Sequence, residues 1–187
     1  IAWVGEMPNF EKFLIRILPD KLDRDLIQEI FGYTLYSRNS MQKIFIFIGE
    51  GANGKSVLLL ILKLILGAAN VSSVGLEAID PTRSFLLATM PGKFANVCED
   101  MNEIGKIAEG TLKQIAAGER ITVERKHKDP FSWLPTTKLL FSTNNLPHIS
   151  DKSEGTFRRL VVVPFEQKLE EHEQRREFST AEFWENT

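Results

Sequence analysis

The first forty residues carry apolar side chains at the spacing of two short helices. In the first, apolar residues recur at positions 10, 13, 14, 17 and 18, on one face of a helix. Pro19 ends this helix, and Asp20 is a typical N-cap for a second one, whose apolar positions run from 22 to 31. Gly32 then predicts the end of the second helix. We therefore expect a small helical unit over residues 1–40.

From residue 41 onward the pattern changes to short apolar runs separated by helices. β-Branched and aromatic residues fill the runs 43–48, 95–98, 138–142 and 160–165, which predicts four buried strands. Helices are predicted over 55–66 and 107–117, ended by Gly67 and Gly118, and a β-hairpin over 121–133. Strands that alternate with helices favour an α/β fold with a largely parallel sheet, here over residues 41–166. The acid-rich tail, 167–187, is predicted to be an exposed helix.

Composition narrows the class of protein. The 187 residues are 43% apolar and 26% charged with a net charge of −2, which excludes a collagen, a disordered tail and a globally basic nucleic-acid coat. The one cysteine, Cys98, cannot form an internal disulfide and favours a reducing compartment. The most apolar stretch, 57–69, is too short to span a bilayer. Together with a start at Ile1 and no secretion signal, this predicts a cytoplasmic piece of a longer protein without a membrane partner.

Residues 49–56 match the pattern G-x-x-x-x-G-K-[ST] completely, between a predicted strand and a predicted helix. Glycines let the backbone turn so that N–H groups point at phosphate oxygens, and the helix N-terminus faces the same phosphates. Lys55 is expected to reach the β- and γ-phosphates, and the Ser56 hydroxyl to bind Mg²⁺. The pattern predicts an ATP site that uses Mg²⁺. The residues predicted to contact the nucleotide are Gly49, Gly51, Ala52, Asn53, Gly54, Lys55, Ser56 and Val57.

Polar side chains follow two of the predicted strands. Glu99 and Asp100 come directly after the second strand, where one carboxylate would hold the Mg²⁺ water shell and the other would polarise the attacking water. Which acid takes which role stays open, and a solvated strand end is the alternative. Asn144 follows the third strand and is a candidate for binding the γ-phosphate or water, the alternative being a turn before Pro147.

Two groups of basic residues are candidates for contacts outside the chain. Arg158 and Arg159 are either an arginine finger, which neutralises charge in a neighbouring subunit's site, or two surface arginines. The predicted hairpin carries a cluster of cations on a mildly acidic chain. If the chain also binds a nucleotide, this cluster favours contact with phosphate backbone; otherwise a solvated charged surface is the better interpretation. The predicted DNA-binding residues are Arg125, Lys126, His127 and Lys128.

Taken in order, these motifs resemble a known family. Five segments in this order are similar to the superfamily 3 helicase domain of phage and plasmid primase–helicases: GEGANGKS, NVCEDMN, the basic segment, TKLLFSTNNLP and GTFRRLVVVPF. The resemblance runs from about residue 43 to residue 165. It implies a modified AAA+ core, a three-layer P-loop NTPase fold with a hairpin insertion, that assembles into hexameric rings and translocates on single-stranded DNA.

The resemblance also implies residue roles. Lys55 and Ser56 would belong to Walker A, and Glu99 and Asp100 to Walker B. Asn144 would be the sensor 1 amide, and Arg158 or Arg159 the finger. Lys126 and His127 would sit on the hairpin that grips DNA in the ring channel, while a primase region would lie elsewhere in the parent chain.

The sequence therefore predicts an ATP-dependent DNA helicase domain of a phage or plasmid replication protein, acting at the replication fork in a bacterial host. Two alternatives stay open: a P-loop kinase or small-molecule NTPase, and an ATP-binding DNA assembly module without motor activity. The basic hairpin would have no purpose in a kinase, and DNA-stimulated ATP hydrolysis would separate all three.

Overall fold

A computed structural model describes residues 7–80, 84–99, 108–151 and 153–185. Five parallel strands form one sheet in the order β2-β3-β6-β1-β7, and β4 and β5 form a separate antiparallel hairpin. The strands are β1 (Ile44–Ile48), β2 (Val71–Ser72), β3 (Ala95–Cys98), β4 (Ile121–Arg125), β5 (Lys128–Trp133), β6 (Lys138–Thr143) and β7 (Leu160–Pro164). The helices are α1 (Pro8–Ile17), α2 (Lys21–Leu35), α3 (Lys55–Leu66), α4 (Ser84–Leu87), α5 (Glu109–Ala117), α6 (Glu154–Phe157) and α7 (Ala181–Glu185).

The sheet is buried on both faces, as its continuous apolar runs predict. Phe45, Phe47 and Val97 pack into one core with the helices α1, α2 and α3. Ile44 and Phe141 pack into a second core with α5 and the buried side of the hairpin. The predicted α/β fold, a parallel sheet flanked by helices, is therefore confirmed.

The N-terminal helices lie against the first core and differ from the prediction at one point. Asp20 caps α2 by accepting a hydrogen bond from the Leu22 amide at 2.9 Å, as expected. However, α2 does not end at Gly32 but continues to Leu35, so that prediction is wrong. The added turn buries Tyr33, whose ring packs edge-on against Phe45 with 6.1 Å between centroids, and this packing outweighs the helix-breaking tendency of glycine.

A buried lysine ties α2 to the sheet. Lys138 at the start of β6 is 2% exposed, and its ammonium donates to the carbonyls of Tyr36 and Thr136 and lies 4.9 Å from the Tyr33 ring centroid. Burial lowers the pKa of Lys138 to about 8, because the charged form is stripped of water. The last carbonyls of a helix favour a cation, so this contact fixes the end of α2 against the sheet.

The two edge strands differ in character. β2 has only two residues, and the buried Asn96 side chain holds it by hydrogen bonds to Ser72 Oγ at 2.9 Å and to the Val74 amide and carbonyl at 2.7 and 2.9 Å. β7 forms the other edge, with Val162 exposed and Pro164 at its end. Within the part of the chain that the structure describes, no helix is long and apolar enough to cross a membrane.

Candidate nucleotide site and basic hairpin

The glycine-rich loop connects β1 to α3 at the carboxyl end of the sheet. Ala52 and Gly54 have positive φ angles of 60° and 84°, which give the loop its tight turn before α3 begins at Lys55. Gly49 has no room for a side chain, since a Cβ there would overlap the Phe165 carbonyl oxygen and Asn53 Nδ2. A Cβ at Gly54 would lie 2.6 Å from Ile17 Cγ2 of α1. The loop is therefore packed closely against the backbone just after β7 and against α1.

The Lys55 ammonium lies within the curve of this loop. Lys55 is 6% exposed, and its Nζ donates to the Gly49 carbonyl at 2.5 Å, the Glu50 carbonyl at 3.2 Å and Asn53 Oδ1 at 3.0 Å. These acceptors are neutral, so a phosphate oxygen would form a stronger, charge-assisted hydrogen bond with the same cation. The arrangement is suited to receiving an anion.

Asn53 joins the loop to the end of β7. Its side chain is 5% exposed, with Nδ2 donating to the Phe165 carbonyl at 3.2 Å while Oδ1 accepts from Lys55. One amide group therefore links the segment after β7 to the lysine cation. The motif pattern allows any residue at position 53, which is why it predicts a nucleotide contact there but not this bridge.

The C-terminal segment forms the second wall of the site, which sequence reasoning missed. The Leu169 amide donates to the Ala52 carbonyl at 2.7 Å, and an open cleft of about 370 Å³ lies between the loop and residues 169–179. Arg175, Arg176 and Phe178 line this cleft, and the Arg175 guanidinium lies 5.0 Å from the Phe178 ring centroid. The segment thus brings two cations and an aromatic ring to the loop.

The prediction of one exposed helix over the tail is wrong. The segment contains two 3₁₀ turns, Glu171–Glu173 and Arg176–Ser179, and the five-residue helix α7. Trp184 is 9% exposed and packs 5.6 Å from Phe13 of α1, centroid to centroid. The signal in the sequence was the aromatic content of an otherwise acidic tail.

An ion pair fixes the middle of this segment. Arg16 of α1 donates to both carboxylate oxygens of Glu173, at 2.6 and 2.7 Å, and to the Lys168 carbonyl at 3.0 Å. The hydrogen bonds from Arg16 lower the pKa of Glu173 to about 2. Both groups are therefore charged at neutral pH, and their ion pair joins the segment to α1.

Glu99 and Asn144 follow adjacent strands, as predicted for the two polar groups. β6 lies between β3 and β1, with Ile48 of β1 beside Thr143. Asn144 is exposed and lines the same cleft as the loop. Glu99 forms an ion pair with Lys63, two turns along α3 from Lys55, and its side chain is 27% exposed. Asp100 lies outside the described residues.

The two adjacent arginines have different environments. Arg159 is 9% exposed, and its guanidinium donates to the Gly155 carbonyl and to Gln42 Oε1, the latter at 3.2 Å. Arg158 projects from the end of α6 and is exposed. Of the pair, Arg158 can reach a second molecule, while Arg159 is engaged within its own chain.

The basic hairpin presents its cations at the turn. Ile121, Val123 and Trp133 are buried at its base, while Lys126 and His127 form the turn, where His127 adopts a φ of 61°. The predicted hairpin is therefore present, and Lys126 and His127 lie at its turn. Arg125 and Lys128 are the last pair of the ladder, and the Arg125 guanidinium lies 4.5 Å from the Phe131 ring centroid. A cleft of about 910 Å³ runs along residues 124–130. Phe85 of α4, which is itself 52% exposed, also lines this cleft.

Comparisons with known proteins bear on the class of domain. Over 88% of this chain, a protein of Acanthamoeba polyphaga mimivirus named "Putative helicase L207/L206" is 31% identical. The corresponding figures for "Putative helicase 121R" of Invertebrate iridescent virus 3 are 29% identity and 88% of the chain. This chain spans 18% of the length of each of these relatives.

Solved structures share the fold. The apo structure of the NrS-1 C-terminal region superposes with a TM-score of 0.72 at 19% identity, covering 98% of this chain and 44% of that chain. JCV Helicase superposes with a TM-score of 0.59 at 18% identity, covering 83% of this chain and 44% of that one.

The fold and these relatives confirm the resemblance found in the motifs: this chain is similar to helicase domains of the superfamily 3 type. The chain belongs to DUF5906, described as a family of unknown function, whose match covers residues 47–159. The relatives come from viruses named for an amoeba and for invertebrates, with another from Frog virus 3, so the predicted bacterial host finds no support.

The crowding at Gly49 generates a prediction about the loop. Gly49→Ala places a methyl group against the Phe165 carbonyl, which is backbone and cannot rotate away. We expect the free energy of unfolding to fall by about 1–3 kcal/mol, the usual effect of overpacking. Thermal and denaturant unfolding without nucleotide measure this.

Gly51→Ala is the matched control, since a Cβ there meets open space. It should change the free energy of unfolding by less than about 0.5 kcal/mol. Equal stability of the two variants would contradict the close packing of the loop on β7.

Proposed function

We propose that this chain is an ATP-hydrolysing motor domain that translocates on single-stranded DNA within a ring of six copies. The observation that carries the proposal is the Lys55 ammonium, buried in a glycine-rich loop at the edge of a cleft that Asn144 also lines. A separate cluster of cations at the turn of the hairpin supplies a second site, for DNA. The relatives named as helicases support the same assignment.

The residues present fit MgATP. The loop cannot carry larger side chains at Gly49 or Gly54, and phosphate oxygens would replace the Gly49 and Glu50 carbonyls as acceptors for its buried cation. Lys55 and the backbone amides of residues 51–57 would hold the phosphates, and Arg175 or Arg176 would face the nucleotide from the other wall. Ser56, with Glu99 or Asp100, would hold Mg²⁺, which neutralises charge on the β- and γ-phosphates.

Hydrolysis needs a carboxylate to take a proton from water. The water oxygen bonds to the γ-phosphorus while the bond from that phosphorus to the β–γ bridging oxygen breaks, giving ADP and phosphate. Glu99 or Asp100 orients the water and accepts its proton. Glu99 is paired with Lys63, so its use as the base requires that this ion pair opens.

Ring assembly completes the site. Arg158 is exposed at the end of α6, so it serves as the arginine finger that neutralises charge in the neighbouring subunit's nucleotide site. Arg159 donates to Gln42 and to the Gly155 carbonyl, and so holds α6, which we call the finger helix, against its own sheet.

DNA binds at the hairpin turns, which line the ring channel. Arg125, Lys126, His127 and Lys128 contact the phosphates of a single strand, and such contacts carry no sequence information. Because the chain spans only part of its relatives, we assign any primase activity to other regions of the parent, a replication protein of a virus or related element that acts at the fork.

Lys55→Ala tests the nucleotide site. Removing the cation that holds the β- and γ-phosphates should lower the rate of ATP hydrolysis by about 100-fold or more. Hydrolysis is measured with and without single-stranded DNA, together with binding of MgATP. Lys93→Ala is the control. Lys93 also donates to a backbone carbonyl, that of Ala69, but it lies just before β3 and so at the amino end of the strand, away from the loop. Hydrolysis at the wild-type rate in Lys55→Ala would exclude this site.

Arg158→Ala tests the finger. The rate of ATP hydrolysis should fall by about 100-fold or more while nucleotide affinity is retained, because the arginine acts on a neighbour's transition state. Mixing Arg158→Ala with Lys55→Ala subunits should restore part of the activity at mixed interfaces. Arg159→Ala should instead lower the unfolding temperature, since it removes a buried hydrogen-bonded cation. Full activity of a monomeric Arg158→Ala protein would remove the ring from the proposal.

Lys126→Ala/His127→Ala tests the DNA site. The turn is exposed, so the free energy of unfolding should change by only a few tenths of a kcal/mol. Affinity for single-stranded DNA should fall similarly for all sequences, and the slope of log affinity against log salt should become shallower by about 0.7 for each DNA phosphate that the variant no longer neutralises. A salt titration against wild type measures both, with Lys12→Ala on α1 as the control for removal of an exposed cation. Identical slopes would show that DNA binds elsewhere.

A further inference from the structure

The hairpin and the exposed Arg158 are joined by a short path through α5. Only residues 118–120 separate α5 from β4. Gly118 has a φ of 68°, and the amides of Gly118 and Glu119 donate to the carbonyls of Ile115 and Gln114 at 3.1 and 2.9 Å. The exit from the helix is therefore tightly closed, and a displacement of the hairpin base would be carried to α5.

One face of α5 binds the segment that leads to the finger helix. Glu109 and Lys113 lie one turn apart on this face. The Glu109 carboxylate accepts from the Ser150 amide at 2.5 Å and from the Asp151 amide at 2.9 and 3.0 Å. Lys113 Nζ forms an ion pair with Asp151 Oδ2 at 2.6 Å. We call Glu109, Lys113 and Asp151 the α5 clamp.

Asp151 in turn organises the start of α6. Its Oδ1 accepts from the Ser153 amide at 2.8 Å, and its Oδ2 accepts from Thr156 Oγ1 at 2.8 Å. The hydrogen bonds from Lys113, Ser153 and Thr156 hold the pKa of Asp151 well below its usual range. Because α6 ends at Phe157, the residue that follows is Arg158 itself. An unbroken series of direct contacts therefore runs from the hairpin base to the finger.

The bonding of the clamp is unusual for a surface ion pair. The side chains of Lys113 and Asp151 are 31% and 29% exposed, and an isolated pair of this kind adds little stability. Here the aspartate also accepts from the Ser153 amide and the Thr156 hydroxyl. These two residues are the N-cap and a member of the short helix α6. Such an arrangement fixes position more than it adds stability.

We infer that Lys113 and Asp151 are positioning residues that couple DNA binding at the hairpin to the placement of Arg158 in the neighbouring subunit's site. The inference rests on the proposed function. When DNA displaces the hairpin, α5 and the clamp carry the displacement to α6, and the finger takes up the position that accelerates hydrolysis. Without the ion pair, DNA still binds but no longer stimulates the ATPase fully.

Three variants test the coupling in the assembled protein. In Lys113→Met the clamp loses its cation, and we expect the DNA-stimulated rate of ATP hydrolysis to fall by about three- to tenfold, which lies within the range seen for residues that carry coupling. The rate without DNA, the affinity for single-stranded DNA and the unfolding temperature should stay near wild type. Lys113→Arg keeps the cation and should restore stimulation. Asp151→Asn should lower the DNA-stimulated rate by the same factor as Lys113→Met. It replaces Lys113→Met in the test if Lys113→Met does not fold.

Lys21→Met is the matched control, because it breaks an exposed lysine–aspartate pair, with Asp25, on α2. It should leave stimulation unchanged. If Lys113→Met retains full DNA stimulation, the coupling is overturned while the proposed function stands. A fall in DNA affinity would instead make Lys113 a DNA contact and would also overturn the inference. Absence of DNA stimulation in the wild type would overturn the proposed function itself, and the coupling with it.

Discussion

The candidate nucleotide site depends on one steric constraint, the approach of the backbone after β7 to the glycine-rich loop. The Phe165 carbonyl lies where a side chain at position 49 would have to be, and the same carbonyl accepts a hydrogen bond from Asn53. Asn53 then holds Lys55. The order of strands places β7 beside β1, so the position of the Lys55 ammonium depends on the topology of the sheet.

Both described ends of the chain meet at this loop. Phe13 and Ile17 of α1 pack beneath it, and the segment from Leu169 to Trp184 covers it, with Trp184 against Phe13. Regions that the motifs treat as a leading helical unit and an acidic tail therefore shape the cleft. Under the proposed function, the wall that faces the nucleotide and the loop that holds its phosphates move as one packed unit.

The sequence predicts the regular elements well where local pattern and tertiary packing agree. Helix α3 and strand β3 begin and end where the apolar runs and Gly67 indicate. Prediction fails where long-range contacts decide: α2 extends past Gly32 to bury Tyr33, and β2 exists because Asn96 holds it. For the site, the motif predicts the loop and Lys55, but neither the second wall nor the different burial of Arg158 and Arg159 has a local pattern. Such features arise from residues far apart in the chain.

The edge strand β7 has a consequence for how copies can approach one another. An open, apolar strand edge invites another chain to add its own strand, which leads to uncontrolled association. β7 exposes Val162 but ends in Pro164, which has no N–H to offer a neighbouring strand. A second copy meeting this side of the molecule would therefore form contacts between side chains more readily than a continuous intermolecular sheet.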